Sequence, residues 1–232
     1  MFIYFINTKL RKDYIMYAHF FKRLFDFLIA LIAFTILSPI LLILTVIGAI
    51  AMGGNPFFVQ ERPGKISKKT GKEKIFKLIK FRTMSNKKDE NGKLLPDNVR
   101  LNKYGRFLRA TSLDELPELL NIIIGNMAIV GPRPLLVRYI DRYSPEQRRR
   151  HEVRPGFTGL AQINGRNAIS WEDKFKFDVQ YVDNITFWGD IKIIFGTVKK
   201  VLKREGISST TSATMEEFMG TIAAEAQHET IT

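Results

Sequence analysis

A stretch of 26 residues without a charged side chain, residues 27–52, limits the fold of this chain more than any other feature. About 20 apolar residues are enough for a helix to cross a hydrocarbon core of about 30 Å. Ala49-Ile-Ala51 resembles a signal-peptidase site, but the apolar core is longer than that of a signal peptide. Two interpretations remain: a single spanning helix, or a helical hairpin that enters and leaves the membrane on the same side.

The Ser38-Pro39 pair in the middle favours the hairpin, a re-entrant membrane helix over residues 20–52. Pro39 removes one helical hydrogen bond and crowds the carbonyl of Thr35, and the Ser38 hydroxyl could bond a carbonyl freed in this way. Each half, about 13 residues or roughly 20 Å long, is too short to cross alone. Basic residues flank both ends, so the positive-inside tendency keeps both ends cytoplasmic. A kinked spanning helix remains the alternative.

The rest of the chain is predicted to be mainly α-helical with one small β-hairpin. Residues 57–60 and 75–82 have strand patterns, and residues 62–74 are expected to form the turn between them. Helices are predicted at 101–109, 116–124, 170–183 and 187–204 and from Ser144, whereas 155–159 is expected to be a turn. An interfacial amphipathic helix is indicated where aromatic and basic residues alternate, at Phe20, Phe21, Lys22, Arg23, Phe25 and Phe27.

The net charge of +13 and the pI near 9.9 require an anionic partner, which could be nucleic acid, a membrane surface or a phosphorylated substrate. The absence of cysteine excludes disulfides and thiolate metal sites. The three histidines, His19, His151 and His228, are widely spaced and give no support to a zinc site.

Two adjacent acidic residues, Asp114 and Glu115, stand where a helix is predicted to begin. A purely structural interpretation is available, because Asp114 could be the N-cap and Ser112-x-x-Glu115 fits a capping box. Acidic residues there also complement the helix dipole without any chemistry. A chemical interpretation is that one carboxylate attacks phosphorus and its neighbour binds Mg²⁺.

Several basic or turn-rich clusters accompany these acidic residues along the chain. Guanidinium groups match phosphate oxygens in a bidentate way, although each cluster alone is more often a solvated surface. Arg133 is set apart by its two flanking prolines, which restrict its backbone, whereas the run at residues 148–150 is expected to be solvated or to lie near anionic lipid. The candidate residues are Lys80, Arg82, Arg106, Arg109, Arg133, Arg154 and Arg166.

In order and spacing, the chain resembles the bacterial monotopic phosphoglycosyl transferases, part of the bacterial sugar transferase family, over roughly residues 20–208. The resemblance rests on Ser38-Pro39, Gln60-x-Arg-Pro-Gly64, Lys80-Phe-Arg-Thr-Met84, Ser112-Leu-Asp-Glu-Leu116, Val130-Gly-Pro-Arg-Pro134, Arg154-Pro-Gly-x-Thr-Gly159, Gln162-x-Asn-Gly-Arg166 and Phe177-Asp-Val-x-Tyr-Val182. Within the family, the chain is similar to the enzymes of bacterial N-linked glycosylation that use UDP-N,N′-diacetylbacillosamine. Residues 164–170 and Glu217-Phe-x-Gly220 support this subgroup, and the residues before Tyr17 and after Gly220 depart from the pattern.

The resemblance implies a ping-pong reaction. Asp114 would attack the β-phosphate of a UDP-sugar, release UMP and hold the phosphosugar until polyprenyl (undecaprenyl) phosphate takes it. Glu115 would bind Mg²⁺, Arg133 would hold phosphate and Asp178 would orient a basic group. The implied pocket also contains Lys80, Arg82, Arg109, Arg154 and Arg166.

The resemblance also implies a monotopic protein on the cytoplasmic face of the bacterial inner membrane, in contact with lipid and not with nucleic acid. A homo-oligomer remains open. The expected organisation is an N-terminal extension (1–19), the membrane segment (20–52), a catalytic domain (53–206) and a flexible tail (207–232). The competing hypotheses are a membrane glycosyltransferase that releases UDP and a non-enzymatic basic membrane adaptor.

Overall fold

The computed structural model describes residues 16–165, 168–203 and 217–220. This part of the chain is mostly helical and contains two small two-stranded sheets. The helices are α1 (Lys22–Met52), α2 (Asp97–Arg100), α3 (Lys103–Thr111), α4 (Glu118–Ile124), α5 (Pro145–Arg148), α6 (Leu160–Ile163), α7 (Trp171–Asp183) and α8 (Phe187–Lys203). The strands are β1 (Phe57–Ile66), β2 (Glu73–Phe81), β3 (Ala128–Val130) and β4 (Gly156–Thr158), and tighter or wider helical turns occupy Tyr17–Phe21, Leu113–Glu115, Val137–Arg142 and Arg149–Glu152.

Helix α1 is one continuous helix that contains Pro39 and ends at the left-handed Gly53. The Ser38 hydroxyl donates a 2.8 Å hydrogen bond to the carbonyl of Thr35, the group that Pro39 leaves without its helical donor. This confirms the expected local compensation. In the described ranges α1 is the single helix long and apolar enough to cross a membrane. The re-entrant hairpin itself stays a prediction.

Both halves of α1 pack against the rest of the protein. In the first half, Ala30 is fully buried in a core cluster with Ile122. In the second half, Leu44 packs with Phe81, and its carbonyl accepts a 2.8 Å hydrogen bond from the Tyr104 hydroxyl. The helix therefore lies along the domain instead of projecting away from it. Its outer face is exposed and apolar, with Ile32, Ile36, Leu42, Ile43 and Ile50 among the most exposed residues.

A buried polar cluster joins the start of α1 to α7 and α8. Asp190 accepts hydrogen bonds from Lys22 Nζ at 2.7 Å and from the hydroxyls of Tyr17 at 2.7 Å and Tyr181 at 2.8 Å. Three donors thus satisfy one buried carboxylate, which makes burial of the charge tolerable. The first turn of α1 is held in a defined position by this cluster.

The predicted β-hairpin is present, but its turn is shorter than expected. Strand β1 continues through Pro63, which was predicted to lie in the turn, and pairs with β2 opposite Ile75. Proline has no N–H to donate, and it is tolerated here because each strand of a two-stranded sheet has one unpaired edge. The pairing register shifts between Pro63 and Ile66. The chain reverses between Ser67 and Lys72.

The turn predicted at residues 155–159 is instead the site of a second sheet. Strand β4 pairs in parallel with β3, a pairing between distant segments that local patterns do not reveal. A Cβ atom at Gly156 would overlap the backbone nitrogen of Gly131, so glycine is needed for this close approach. The helix predictions were better: α3, α4, α7 and α8 begin and end within two residues of their predicted limits. The helix predicted from Ser144 is α5, and Ser144 and Gln147 form a capping box at its start.

The described part of the predicted flexible tail, residues 217–220, packs against the domain. Phe218 is 2% exposed, and its ring lies 4.9 Å, centroid to centroid, from the ring of Phe175. Glu217 forms ion pairs with Arg138 and Arg142. Glu217 and Phe218 therefore contact the domain, and the flexibility of the tail stays a prediction. The rest of 207–232 lies outside the described residues.

Candidate active site

Asp114 and Glu115 lie in the short turn Leu113–Glu115 between α3 and α4. Ser112, which ends α3, has a left-handed backbone with φ of 56° and is the only such non-glycine residue in the described ranges. The predicted capping interpretation is wrong, because Pro117 is the N-cap of α4 and the Ser112 side chain does not cap the turn. A strained backbone next to two acidic residues is typical of a functional site.

The Glu115 carboxylate is held by two cations from distant parts of the chain. Lys80 Nζ donates to Oε1 at 2.8 Å, and the Arg133 guanidinium contacts both carboxylate oxygens. Burial alone would raise the pKa of Glu115, but Arg133 and Lys80 outweigh it and hold the pKa well below its usual range. Glu115 therefore stays ionised at any physiological pH.

Asp114 has the opposite electrostatic surroundings. Burial, with a contribution from the adjacent Glu115 charge, raises the pKa of Asp114 to about 6, although Lys80, Arg133 and Arg109 oppose the shift. A carboxylate with a raised pKa is more basic than a solvated one and remains mostly ionised near pH 7. Divergent pKa shifts in neighbouring carboxyl groups are a recognised basis for assigning them different chemical roles.

Glu118, one turn after Glu115, is a third carboxyl group that the sequence argument missed. It is 1% exposed, and its Oε1 lies 3.0 Å from Lys80 Nζ in an ion pair without hydrogen-bond alignment. Burial raises the pKa of Glu118 to about 7, against the influence of Lys80. The sequence does contain a signal for the burial of Glu118. This residue stands between Pro117 and an apolar run, and such a position on α4 is expected to face the core.

The structure brings Lys80, Arg133 and Arg109 to the acidic pair but separates other predicted residues from it. Arg109 donates to Thr83 Oγ1 at 3.1 Å. Arg82 follows β2 and forms no ion pair with the acidic residues in the described ranges. Arg154 lies elsewhere, with its Nε donating to the Gly125 carbonyl at 3.0 Å. Arg166 lies outside the described residues.

Asp178, predicted to orient a basic group, pairs with a buried arginine. Its Oδ2 accepts from Arg150 Nε at 3.0 Å and Nη2 at 2.7 Å, and the same Nη2 donates to the Arg133 carbonyl at 2.7 Å. Asp178 therefore supports the Arg133 backbone through Arg150. The run at residues 148–150 was expected to be solvated, and this prediction is wrong for Arg150. Arg150 is 2% exposed, and its burial is possible because Asp178 neutralises its charge.

A cavity of about 260 Å³ opens beside Glu115 and Arg133. The amide of Gln162 lines it, and both amide atoms are buried without a hydrogen-bond partner among the described residues. Buried amide groups normally have partners, and an ordered water or a bound molecule would supply one here. The other lining residues are Thr111, Ser112, Leu113, Leu116, Phe157, Thr158, Thr197, Lys200 and Val201.

The carboxylates of this site suit a magnesium ion only if a substrate supplies further oxygen ligands. No group of three or more His, Asp or Glu residues that could hold a metal occurs in the described ranges. Mg²⁺ commonly binds one or two carboxylates and completes its shell with water and substrate phosphates. Glu115 Oε2 has one weak contact, to Arg133 Nη1 at 3.4 Å, and so retains a lone pair for an ion.

Comparisons with known proteins identify the family of this chain. A family model described as bacterial sugar transferase matches residues 17–204. The uncharacterized sugar transferase EpsL of Bacillus subtilis is 51% identical over 86% of this chain and 96% of its own length. The undecaprenyl-phosphate galactose phosphotransferase of Salmonella typhimurium is 34% identical over 82% of this chain and 42% of its own length.

The UDP-glucose:undecaprenyl-phosphate glucose-1-phosphate transferase of Klebsiella pneumoniae is 36% identical over 78% of this chain and 40% of its own length. The chain thus spans nearly all of EpsL but less than half of the other two relatives. Because the family model covers most of the sequence, the chain belongs to the bacterial sugar transferase family.

Proposed function

We propose that this phosphoglycosyl transferase moves a sugar 1-phosphate from a UDP-sugar to undecaprenyl phosphate and releases UMP. The observation that carries the proposal is the pair Asp114–Glu115, in which one carboxylate is engaged by Lys80 and Arg133 and its neighbour has a raised pKa. Two relatives are named for transfers that involve undecaprenyl phosphate, which supports the reaction class.

In the proposed first step, an Asp114 carboxylate oxygen forms a bond to the β-phosphorus of the UDP-sugar. The bond from that phosphorus to the bridging oxygen breaks, and UMP leaves with the electron pair. In the second step, an oxygen of undecaprenyl phosphate attacks the same phosphorus. The Asp114–phosphorus bond breaks, and the products are a polyprenyl diphosphate sugar and free carboxylate.

Arg133 and Lys80 supply the positive charge that this chemistry needs. The Arg133 side chain is 37% exposed while it contacts Glu115, so it can also reach a substrate phosphate at the cavity. Glu115 would hold Mg²⁺, which would neutralise charge on the diphosphate.

The donor that we propose is UDP-N,N′-diacetylbacillosamine, in line with the resemblance to the N-linked glycosylation enzymes. Gln162 lines the cavity, and its amide is of the type that pairs with a sugar acetamido group. The relatives named for galactose and glucose make these sugars the natural competitors. A panel of the three UDP-sugars, with undecaprenyl phosphate present and UMP release as the readout, tests the choice.

We further propose that the protein is monotopic, with its active site at the cytoplasmic face of the bacterial inner membrane. Contacts of both halves of α1 with the domain support a helix whose two ends stay on one side. In that arrangement, the acidic pair would lie near the headgroup level, where the phosphate of the lipid carrier is found.

The test of the nucleophile is the substitution Asp114→Asn. An amide cannot form the acyl phosphate, so we expect UMP release to fall by at least about 1,000-fold. Incubation of the wild type with labelled UDP-sugar alone should leave phosphosugar attached to the protein, and the variant should show none.

The matched control is Asp141→Asn, because Asp141 is exposed and does not line the cavity beside Glu115 and Arg133. This variant should retain activity. UDP as the product would support a glycosyltransferase instead. Turnover by a purified Asp114→Asn protein would rule out the nucleophile assignment.

A further inference from the structure

Arg154, which lies away from the acidic pair, lines a second cavity of about 260 Å³. Lys65, at the end of β1, and Lys74, at the start of β2, line the same cavity. Lys74 and Lys80 are six residues apart on one strand, which corresponds to about 20 Å. The second cavity is therefore not an extension of the first. Its other lining residues are Gly64, Ile66, Ser67, Phe76, Gly125 and Asn126.

The three cations of this cavity form no ion pair with a carboxylate in the described ranges. The nearest acidic groups are already engaged: Glu152 lies 3.4 Å from Arg149, and Asp26 accepts hydrogen bonds from Lys22 and the Ile129 N–H. The cavity thus gathers positive charge that no direct ion pair neutralises in the described residues. Such an arrangement attracts an anion and is stabilised by it.

Two of these cations, Lys65 and Arg154, have lowered pKa values. Partial burial and the neighbouring charges of Arg154 and Lys68 lower the pKa of Lys65. Burial and Arg23 lower the pKa of Arg154. A bound anion would relieve both effects, because an opposite charge favours the protonated forms.

The position of the cavity indicates where the anion comes from. Gly125, which lines it, packs against the guanidinium of Arg23 in the first turn of α1. The preceding residue, Ile124, is 67% exposed, and Phe20 and Leu24 of the membrane segment are also exposed. The basic cavity therefore borders the apolar surface, as a site for a lipid phosphate at the membrane interface would.

We propose that the cavity formed by Lys65, Lys74 and Arg154 binds the phosphate of an anionic membrane lipid headgroup. This would fix the height and tilt of the domain at the bilayer, independently of the reaction at Asp114. The same phosphate chemistry could be supplied by free inorganic phosphate, so the experiment must distinguish the two sources.

The test uses the full chain in mild detergent, titrated with dioctanoyl phosphatidylglycerol and followed by thermal unfolding. We expect saturable stabilisation by this lipid, little by dioctanoyl phosphatidylcholine, and much weaker binding of inorganic phosphate. In Lys65→Gln/Lys74→Gln, loss of two charge-assisted contacts should weaken lipid binding by about tenfold or more. Both lysines are exposed, so the double variant should fold.

The matched control is Lys87→Gln/Lys93→Gln, which removes the same charge from an exposed loop. It should bind the anionic lipid like the wild type. Equal weakening by the two double variants would mean general electrostatic attraction and would overturn the proposal. Equal affinity for inorganic phosphate and for the anionic lipid would also overturn it, in favour of a free-anion site.

Discussion

The carboxyl groups of Asp114 and Glu115 are neighbours in the chain but differ in their partners. Motifs alone singled out these two residues as the proposed reactive pair, and also Lys80 and Arg133, which contact Glu115. Which cation binds which carboxylate could not, because those contacts cross 35 and 18 residues and depend on the fold. Glu118 and Arg150 were missed for a related reason: a charged residue is normally exposed, and burial depends on a distant partner.

His151 allows a test of how burial controls protonation at a single residue. It is 3% exposed, and burial, with a contribution from Arg150, lowers its pKa to about 3. The unfolded chain binds a proton near pH 6.5, whereas the folded protein does not, so folding stability must fall as the pH decreases below about 6.5. Between pH 6.5 and 5 this residue should contribute a loss of about 2 kcal/mol.

The measurement is the free energy of unfolding in detergent at several pH values for the wild type and His151→Gln. The variant lacks the titrating group, so its stability should decline less steeply over this interval, whatever its absolute stability. Parallel pH dependences in the two proteins would show that His151 is protonated equally in the folded and unfolded states.

Among the elements, local pattern identified the helices and the hairpin, whereas contacts between distant segments were not predictable. The β3–β4 pair joins strands more than 20 residues apart, and its three-residue strands carry too little pattern to be recognised. The packing of residues 217–220 against the domain could not be predicted either, because it also joins distant segments of the chain. Phe218 contacts the rings of Tyr139, Tyr143, Trp171 and Phe175, which come from two separate segments.

Phe218→Ala tests whether the docked segment supports the active site. The segment contacts Val137–Arg142, the turn that follows Arg133, through Phe218 and the ion pairs of Glu217. We expect a stability loss below the about 3–5 kcal/mol typical of a core Phe→Ala change, because the segment can detach and leave no closed cavity. Hydrogen exchange at residues 137–142 should become faster, and UMP release should decrease.

Met219→Ala is the matched control, since Met219 is 62% exposed on the same segment. It should leave both measurements nearly unchanged. Unaltered exchange at residues 137–142 in Phe218→Ala would mean that the docked segment does not restrain this turn.

At the scale of the whole molecule, the open question is how α1 lies in the bilayer. The sequence indicated a membrane segment with a central break, and the structure shows a continuous helix with both halves against the domain. The direction of insertion depends on lipid as much as on sequence, so pattern alone could not determine it.

Cysteine labelling in sealed vesicles tests the topology. The chain has no cysteine, so a single cysteine introduced at Lys12 or at Lys69 is the only reactive thiol. The re-entrant arrangement predicts that an impermeant reagent labels both positions from the same side. Labelling from opposite sides would establish a spanning helix and rule out the monotopic arrangement.

The packing of α1 has a practical consequence for anyone who wants a water-soluble version of this enzyme. Removing residues 1–52 would delete Ala30 and Leu44 from two core clusters and leave Asp190 without its Lys22 partner. The remainder would lack part of its own interior, so truncation should give aggregated protein. Replacing the exposed apolar residues of α1, such as Ile32 and Ile36, with polar ones is the better route, because it changes solubility without opening the core.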